Sequence, residues 1–282
     1  MAVDNFYFPN CANIKDMKIL RRIFYLCLYT FAIIGFLLML GFVVSKSELT
    51  KNSGLVDKND YFSKSRKLVD NKNYAWINTE EYSVLKESLK NEEIILSRVE
   101  KETGIKSRSL VSILFVEQMR LYNSDRELFK KVFEPLKILG VQSQFSWGIL
   151  GLKQDTLIEI ENNLKATSSP FYLGPEYEKL FNYSDAERFA LVTDEHDHYY
   201  TYLYAALFLK QVEKQWRQAG FDISNRPEIL ATLYNIGFSH SVPKADPQMG
   251  GAEIEIGNSK TSFGQLAYEF YYSQELIEQF RP

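Results

Sequence analysis

The sequence predicts a mainly α-helical domain that follows a single N-terminal transmembrane helix. Three observations lead to this prediction. Residues 23–45 carry no charged side chain, several later segments repeat apolar residues at the helical period, and alternating strand-like patterns are scarce. The 282 residues are 45% hydrophobic and 24% charged, which is ordinary for a globular protein and argues against a disordered or fibrous chain.

The charge-free run 23–45 is long enough to cross a membrane as a helix. At about 1.5 Å per residue it spans roughly 35 Å, and the hydrocarbon core of a bilayer is about 30 Å thick. A buried core helix would be shorter and would show a polar face. A cleaved signal peptide would have a shorter apolar run followed by a small-residue cleavage site. We therefore expect an uncleaved signal anchor, preceded by a cytoplasmic tail over 1–22.

The charges beside this run favour a cytoplasmic N-terminus by a small margin. Four Lys or Arg side chains lie in 15–22 and three lie in 46–58. Residues 1–45 have four basic and two acidic side chains, which leaves 29 basic and 34 acidic ones for the remainder. A chain with this acidic balance is not expected to bind nucleic acid. Both cysteines, Cys11 and Cys27, lie in the first part, so the remainder forms no disulfide.

The remainder divides into a polar linker, 46–73, and a helical domain, 74–282. Helix formation is expected from Thr79, where Glu80 and Glu81 suit the first turn, and Gly104 offers a C-terminal stop. Further helices are predicted over 107–122, 155–164, 199–219, 227–234 and 265–280, and the best strand pattern is 253–256.

The helix predicted over 107–122 carries a carboxylate on its apolar face. Leu110, Ile113, Leu114, Glu117 and Leu121 share one side of a helix. A glutamate there must be paired, protonated or lining a cleft. Desolvation disfavours the ionised form of a carboxyl group, and a protonated glutamic acid is what a glycosidic leaving group needs as a general acid. The alternative is a structural glutamate bonded to an arginine or to the backbone, or a helix end that reaches solvent.

Three segments resemble, in order, those of the lysozyme-like lytic transglycosylase family, in a divergent form. They are ILFVEQMR at 113–120, an apolar helix that ends in the acid; GILGLKQDT at 148–156, similar to a G-A-x-G-L-M-Q segment; and ATLYNIG at 231–237, similar to an A-Y-N-x-G motif. Each motif is weak alone, and their shared order is moderately specific. The matching positions in the second and third segments are Gly148, Gly151, Leu152, Gln154, Tyr234, Asn235 and Gly237.

The resemblance implies a lysozyme-like fold and cleavage of the bond between N-acetylmuramic acid and N-acetylglucosamine by one glutamate. Glu117 would protonate the glycosidic oxygen and then accept the proton of the muramyl C6 hydroxyl, which closes on C1 to give a 1,6-anhydro end. No cofactor and no metal are implied. Tyr234 would orient Glu117 or a sugar, Asn235 would hold the loop after it, and Gln154 would line the glycan groove.

The sequence also departs from the family pattern. Gln118 stands where the family usually has Ser, a residue that helps to position the acid or a sugar, and 121–147 looks like an insertion. Within it, Gln142 and Ser146 can serve the groove in place of missing family groups, and Trp147 can stack on a sugar or belong to the core. The backbone at Gly148 and Gly151 can approach the sugar closely, or these glycines simply form a tight turn.

Two other segments have a polar pattern that invites a functional interpretation. DEHDH at 194–198 suggests a metal site, but the spacing of its two histidines favours a solvated loop or helix cap. The Pro- and Gly-bearing segment 241–257 is expected to be a structured loop beside the groove. Its carboxylates, Asp246, Glu253 and Glu255, can serve a hydrolytic variant or lie in surface turns. No nucleotide-binding or Ser-His-Asp motif stands out.

The sequence thus predicts a single-pass protein of a bacterial cytoplasmic membrane whose lysozyme-like domain cleaves peptidoglycan outside the cytoplasm. Peptidoglycan lies outside the cytoplasm, so this function supports the orientation that charge favours only slightly. Two other interpretations stay open. One is a hydrolase of the same fold that uses water and a second carboxylate. The other is a non-catalytic peptidoglycan-binding scaffold of an envelope machine.

Overall fold

The fold is mainly α-helical, as the sequence predicts, in a computed structural model that describes residues 22–36, 39, 74–122, 146–256 and 259–282. The chain divides into two compact units, Met1–Ser47 and Glu48–Pro282. The predicted linker 46–73 and most of the predicted insertion 121–147 lie outside the described residues.

In the first unit, the described residues form one helix, α1, over 22–36. Its side chains are exposed, and the Thr30 hydroxyl donates to the Leu26 carbonyl at 2.8 Å, within the helix. Among the described residues, none of the helices combines the length and the apolar character needed to span a membrane. The rest of the predicted 23–45 helix, apart from residue 39, falls outside them.

The second unit holds the other described helices and two short antiparallel hairpins, Ser146–Trp147 with Leu152–Lys153 and Glu253–Ile256 with Ser259–Ser262. It also contains a 3-10 turn, Phe238–His240. The elements are, in chain order, α2 Glu80–Asn91, α3 Glu93–Thr103, α4 Ser107–Tyr122, β1 Ser146–Trp147, β2 Leu152–Lys153, α5 Gln154–Lys165, α6 Asp185–Val192, α7 Tyr199–Gln218, α8 Pro227–Ile236, β3 Glu253–Ile256, β4 Ser259–Ser262 and α9 Phe263–Tyr272.

Helix α4 is the centre of this unit. It contacts α2, α3, α7, α8, α9 and strand β3, and nearly all of its side chains are buried. Because neighbouring elements surround the helix, apolar residues outside the single stripe recognised in the sequence, such as Val111, Phe115 and Val116, are buried as well. Every side chain near Glu117 on this helix is therefore held by packing.

The helical segment expected from Thr79 to Gly104 is two helices, not one. Thr79 caps α2 by accepting from the Tyr82 amide, and Gly104 ends α3 in the left-handed conformation at φ 76°. Between them, the Glu92 side chain is buried and accepts a hydrogen bond from the Tyr202 hydroxyl at 2.9 Å. This interhelical contact coincides with the interruption.

The last helix ends earlier than the predicted 265–280, because a buried arginine takes its terminal carbonyls. Arg108 is fully buried on α4 and donates to the carbonyls of Phe270, Tyr271, Ser273 and Glu275, at 2.5 to 3.1 Å. Phe270 and Tyr271 lie in the last turn, whose carbonyls have no partner within the helix, and Ser273 and Glu275 follow the helix end. The chain therefore leaves the helix at Tyr272, with Ser273 in an extended conformation.

Helix α6 and the β1–β2 hairpin are not foreseen by the sequence patterns. Helix α6 begins with a capping box in which Ser184 and Glu187 satisfy each other's backbone amides. Its Arg188 forms a bidentate ion pair with the buried Glu161 of α5, at 2.6 and 2.9 Å, and the Tyr204 hydroxyl of α7 donates to the same carboxylate at 2.5 Å. These contacts join α5, α6 and α7.

Candidate active site

Glu117 lies in the interior of the second unit, on the last turns of α4. Its side chain is 6% exposed, and Oε2 is 3.2 Å from Nη2 of Arg120, which is 5% exposed. The spacing of three residues brings both side chains to one face of the helix. Glu117 is therefore paired, which is one of the three arrangements expected for a glutamate on an apolar helix face.

Carbonyl groups of the backbone between β1 and β2 accept hydrogen bonds from side chains of two helices, α4 and α8. The Gln118 amide nitrogen of α4 donates to the Ile149 carbonyl at 2.7 Å. The Tyr234 hydroxyl of α8 donates to the Leu150 carbonyl at 2.8 Å. The three segments singled out in the sequence, which are far apart along the chain, therefore meet in space.

Tyr234 also lies within the electrostatic field of Glu117. Burial, and after it the negative charge of Glu117, raises the pKa of the Tyr234 phenol well above its usual value, while Arg120 opposes the shift. The phenol is therefore a neutral hydrogen-bond donor at any physiological pH, and its proton points to Leu150. Its ring packs edge-on against Phe208 of α7, with centroids 5.4 Å apart.

Asn235 ties the loop that follows α8 back to this helix. Its Oδ1 accepts from the Ala252 amide at 2.8 Å. Gly251 has a φ of 92°, and a Cβ atom there would lie 2.9 Å from the same Oδ1. Both observations mean that the loop before β3 passes very close to Asn235.

Position 148 requires glycine because neighbouring atoms leave no room for a side chain there. Its φ is 63°, and a Cβ atom would lie 2.5 Å from the Val192 carbonyl oxygen and 2.7 Å from Thr201 Oγ1. The side on which a Cβ would project is thus filled by the ends of α6 and α7. Gly151 also has a positive φ, of 74°, at the other end of the same turn.

The remaining predicted groove residues are less defined by the structure. Gln154 is half-buried at the first position of α5. Ser146 pairs with Lys153 in the hairpin, and its side chain is outside the described part of the chain. Gln142 lies wholly outside it. Trp147 is 4% exposed and packs edge-on against Phe189, with centroids 4.9 Å apart, so it belongs to the core.

Two residues of this site were not assigned a role from the sequence. Arg120 pairs with Glu117, and its guanidinium carbon is 5.8 Å from the centre of the Phe263 ring. Gln118 is fully buried and bonds the hairpin. The spacing of Arg120 from Glu117 is a signal that the sequence contains, because side chains three apart on a helix are neighbours.

The carboxylates of the loop and hairpin after α8 are exposed. Asp246 and Glu255 lie at the surface, and Glu253 accepts from Lys260 at 2.7 Å. Two surface clefts elsewhere, one along α3 and one between α4 and α7, do not include Glu117. Glu117 is therefore enclosed and lines neither of these clefts.

The histidines of DEHDH take part in local hydrogen bonds. Asp194 accepts from the amides of His196 and Asp197 and so organises the loop before α7. His198 Nδ1 is 3.0 Å from the buried Glu92. No group of three or more His, Cys, Asp or Glu side chains suited to a metal ion occurs within the described residues.

Comparison with known proteins adds no relative. No family model matches the chain, and no curated protein or solved structure is significantly similar to it.

Proposed function

We propose that this protein is a membrane-anchored lytic transglycosylase that cleaves the glycan strands of peptidoglycan, with Glu117 as its acid and base. The observation that supports the proposal is the meeting of the three motif segments. Gln118, next to Glu117, and Tyr234 each donate a hydrogen bond to the 148–151 turn. The negative charge of Glu117 also raises the pKa of the Tyr234 phenol. A chance set of three weak motifs gives no reason for such proximity.

The proposed reaction needs only one carboxyl group. Glu117 gives its proton to the glycosidic oxygen as the bond to the muramyl C1 breaks. The resulting carboxylate takes the proton of the C6 hydroxyl, whose oxygen bonds to C1 and closes the 1,6-anhydro ring. The proton balance is restored because the glutamate ends as it began, and no water is consumed. Arg120, at 3.2 Å, stabilises the carboxylate that exists between the two transfers.

The membrane anchor and its orientation are part of the same proposal. Residues 23–45 would span the membrane, and the catalytic unit would lie outside the cytoplasm, where peptidoglycan is found. The support is the charge-free length of the run and the helical conformation of 22–36. Alkaline carbonate extraction of membranes tests the anchor, since an integral protein stays in the pellet.

The experiment that tests the activity is digestion of purified peptidoglycan by the full chain and by Glu117→Gln. Mass spectrometry should find 1,6-anhydro ends with the parent protein and none with the variant. Glu161→Gln is the matched control, because it also removes one charge from a buried Glu–Arg pair and lies outside the proposed site. The proposal fails if Glu117→Gln retains the lytic activity of the control. Reducing ends in place of anhydro ends would instead indicate the hydrolase of the same fold.

A specific observation favours a second candidate, a non-catalytic peptidoglycan-binding scaffold. Glu117 is buried and paired with Arg120, which is also how a purely structural carboxylate is held. The scaffold predicts that the parent protein releases no fragments, and that it sediments with insoluble peptidoglycan as well as Glu117→Gln does. If the parent protein releases anhydro fragments and Glu117→Gln does not, this candidate is eliminated.

A further inference from the structure

A polar cleft of about 520 Å³ opens at the opposite end of α4 from Glu117. It lies where the α3–α4 turn, the 173–177 segment and the second half of α7 meet. Ser109 of α4 lines it, and Glu117 is eight residues further along the same helix, which corresponds to about 12 Å along the axis. The cleft is therefore separate from the proposed catalytic site.

The lining of this cleft carries a net positive charge, whereas the whole chain carries a net negative charge. It includes four cationic side chains and two carboxylates, an excess of two positive charges in a protein whose net charge is −3. Like charges gathered in a concave surface reinforce each other's potential and concentrate ions of opposite sign. The charged residues of the lining are Lys106, Lys210, Lys214, Arg217, Glu176 and Glu213.

The lysine side chains of the cleft differ in whether they already bond to other parts of the fold. Lys210 is committed, since its Nζ donates to the Thr103 carbonyl at 2.6 Å and lies 5.7 Å from the centre of the Tyr177 ring. The side-chain ammonium groups of Lys106 and Lys214 have no hydrogen bond or ion pair within the part of the chain that the structure describes. Two ammonium groups with no structural task therefore face one cleft. Ile105 gives it an apolar wall.

We propose that this cleft binds a small multivalent anion, a ligand that carries two or more carboxylate or phosphate groups. The positive excess attracts such a ligand, and the free ammonium groups of Lys106 and Lys214 provide its direct contacts. Polar groups of Ser109, Ser224 and Asn225 complete the lining. This proposal does not depend on the reaction proposed for Glu117.

Glu213 makes the binding dependent on pH. Burial raises the pKa of its carboxyl group to about 6, although Arg217 and Lys210 on the same helix oppose the shift and Asp222 adds to it. The charged groups that line the same cleft from other elements are Lys106 and Glu176. Protonation as the pH falls through this value removes one of the two negative charges, so the cleft itself repels an anion less at pH 5.5 than at pH 7.

Isothermal titration calorimetry of the full chain with citrate and with pyrophosphate, at low salt, tests the proposal. We expect one site per chain, a dissociation constant that rises with salt, and at least a ~10-fold weaker affinity in Lys106→Gln/Lys214→Gln. Lys165→Gln is the control, because it removes an exposed lysine at the end of α5, outside the cleft. A preference for citrate or for pyrophosphate identifies carboxylate or phosphate as the natural group.

A second variant gives a result that misfolding cannot imitate. Glu213→Gln removes a negative charge from the cleft, so it should bind the preferred anion more tightly than the parent at pH 7. The advantage over the parent should shrink at pH 5.5, where Glu213 of the parent is itself largely neutral, and comparison at one pH cancels the protonation of the anion. The proposal is overturned if Lys165→Gln weakens binding as much as the double variant, or if Glu213→Gln leaves the affinity at pH 7 unchanged. It is also overturned if neither anion binds.

Discussion

Removing either member of the ion pair of Glu117 and Arg120 should destabilise the fold strongly, and this loss can be measured separately from activity. Both side chains are almost fully buried, at 6% and 5% exposure, and their charged atoms are 3.2 Å apart. Coulomb's law with an effective dielectric constant of about 20 gives an attraction of about 5 kcal/mol at this distance. Desolvation of the two groups offsets part of it.

Removing one charge leaves the other buried without compensation. Such losses cost about 3–5 kcal/mol in other proteins. Because glutamine keeps the shape and one acceptor of glutamate, we expect Glu117→Gln to lower the free energy of unfolding by about 3 kcal/mol, and Arg120→Gln by a similar amount. The double variant should lose at least about 1.5 kcal/mol less than the sum of the two single losses.

Urea titration followed by tryptophan fluorescence measures these differences. The three tryptophans, Trp76, Trp147 and Trp216, are buried in the second unit and report on its unfolding. A coupling energy below about 0.5 kcal/mol would refute the reasoning, because well-packed partners in direct contact couple more strongly than that. The measurement also defines the conditions under which Glu117→Gln is folded, so that its activity can be compared fairly with that of Glu161→Gln.

Three further stability changes follow from the contacts of the second unit, each measurable by the same titration. Tyr234→Phe should cost about 1–3 kcal/mol, because the buried Leu150 carbonyl loses its donor; no loss would mean that another group replaces the phenol. Gly148→Ala should cost at least about 2 kcal/mol, because its φ is positive and the new Cβ meets the Val192 carbonyl. A neutral effect there would contradict the close approach. Arg108→Met should cost about 3–4 kcal/mol and speed amide exchange at the end of α9, since four carbonyls lose one donor group. Unchanged exchange would show that the helix end does not depend on this arginine.

Local patterns were sufficient where an element depends on its own residues. Helix α4 runs from Ser107 to Tyr122, as its periodicity predicts, and strand β3 covers the alternating EIEI of 253–256. Helix α8 begins at Pro227, where a proline suits the first helical position. In each case the spacing of apolar residues within one segment already specifies the conformation.

Local patterns failed at two places where a helix contacts a side chain far away in the sequence. The break between α2 and α3 occurs at Glu92, whose partner Tyr202 is more than a hundred residues away. The end of α9 is decided by Arg108 of another helix. The partner in each contact lies outside the segment concerned, so the residues of that segment alone do not predict the contact.

The candidate site divides in the same way. The sequence predicted that Glu117 lies on an apolar helix face, and the structure confirms that this face is buried. The resemblance of three short segments to a family of wall-degrading enzymes stays a prediction. Only the tertiary structure decided that Arg120 pairs with Glu117, that Tyr234 donates to Leu150, and that Gln118 holds the hairpin. The physical reason is that a helix face is fixed by a period of a few residues, whereas a hydrogen bond between segments depends on how the whole chain packs.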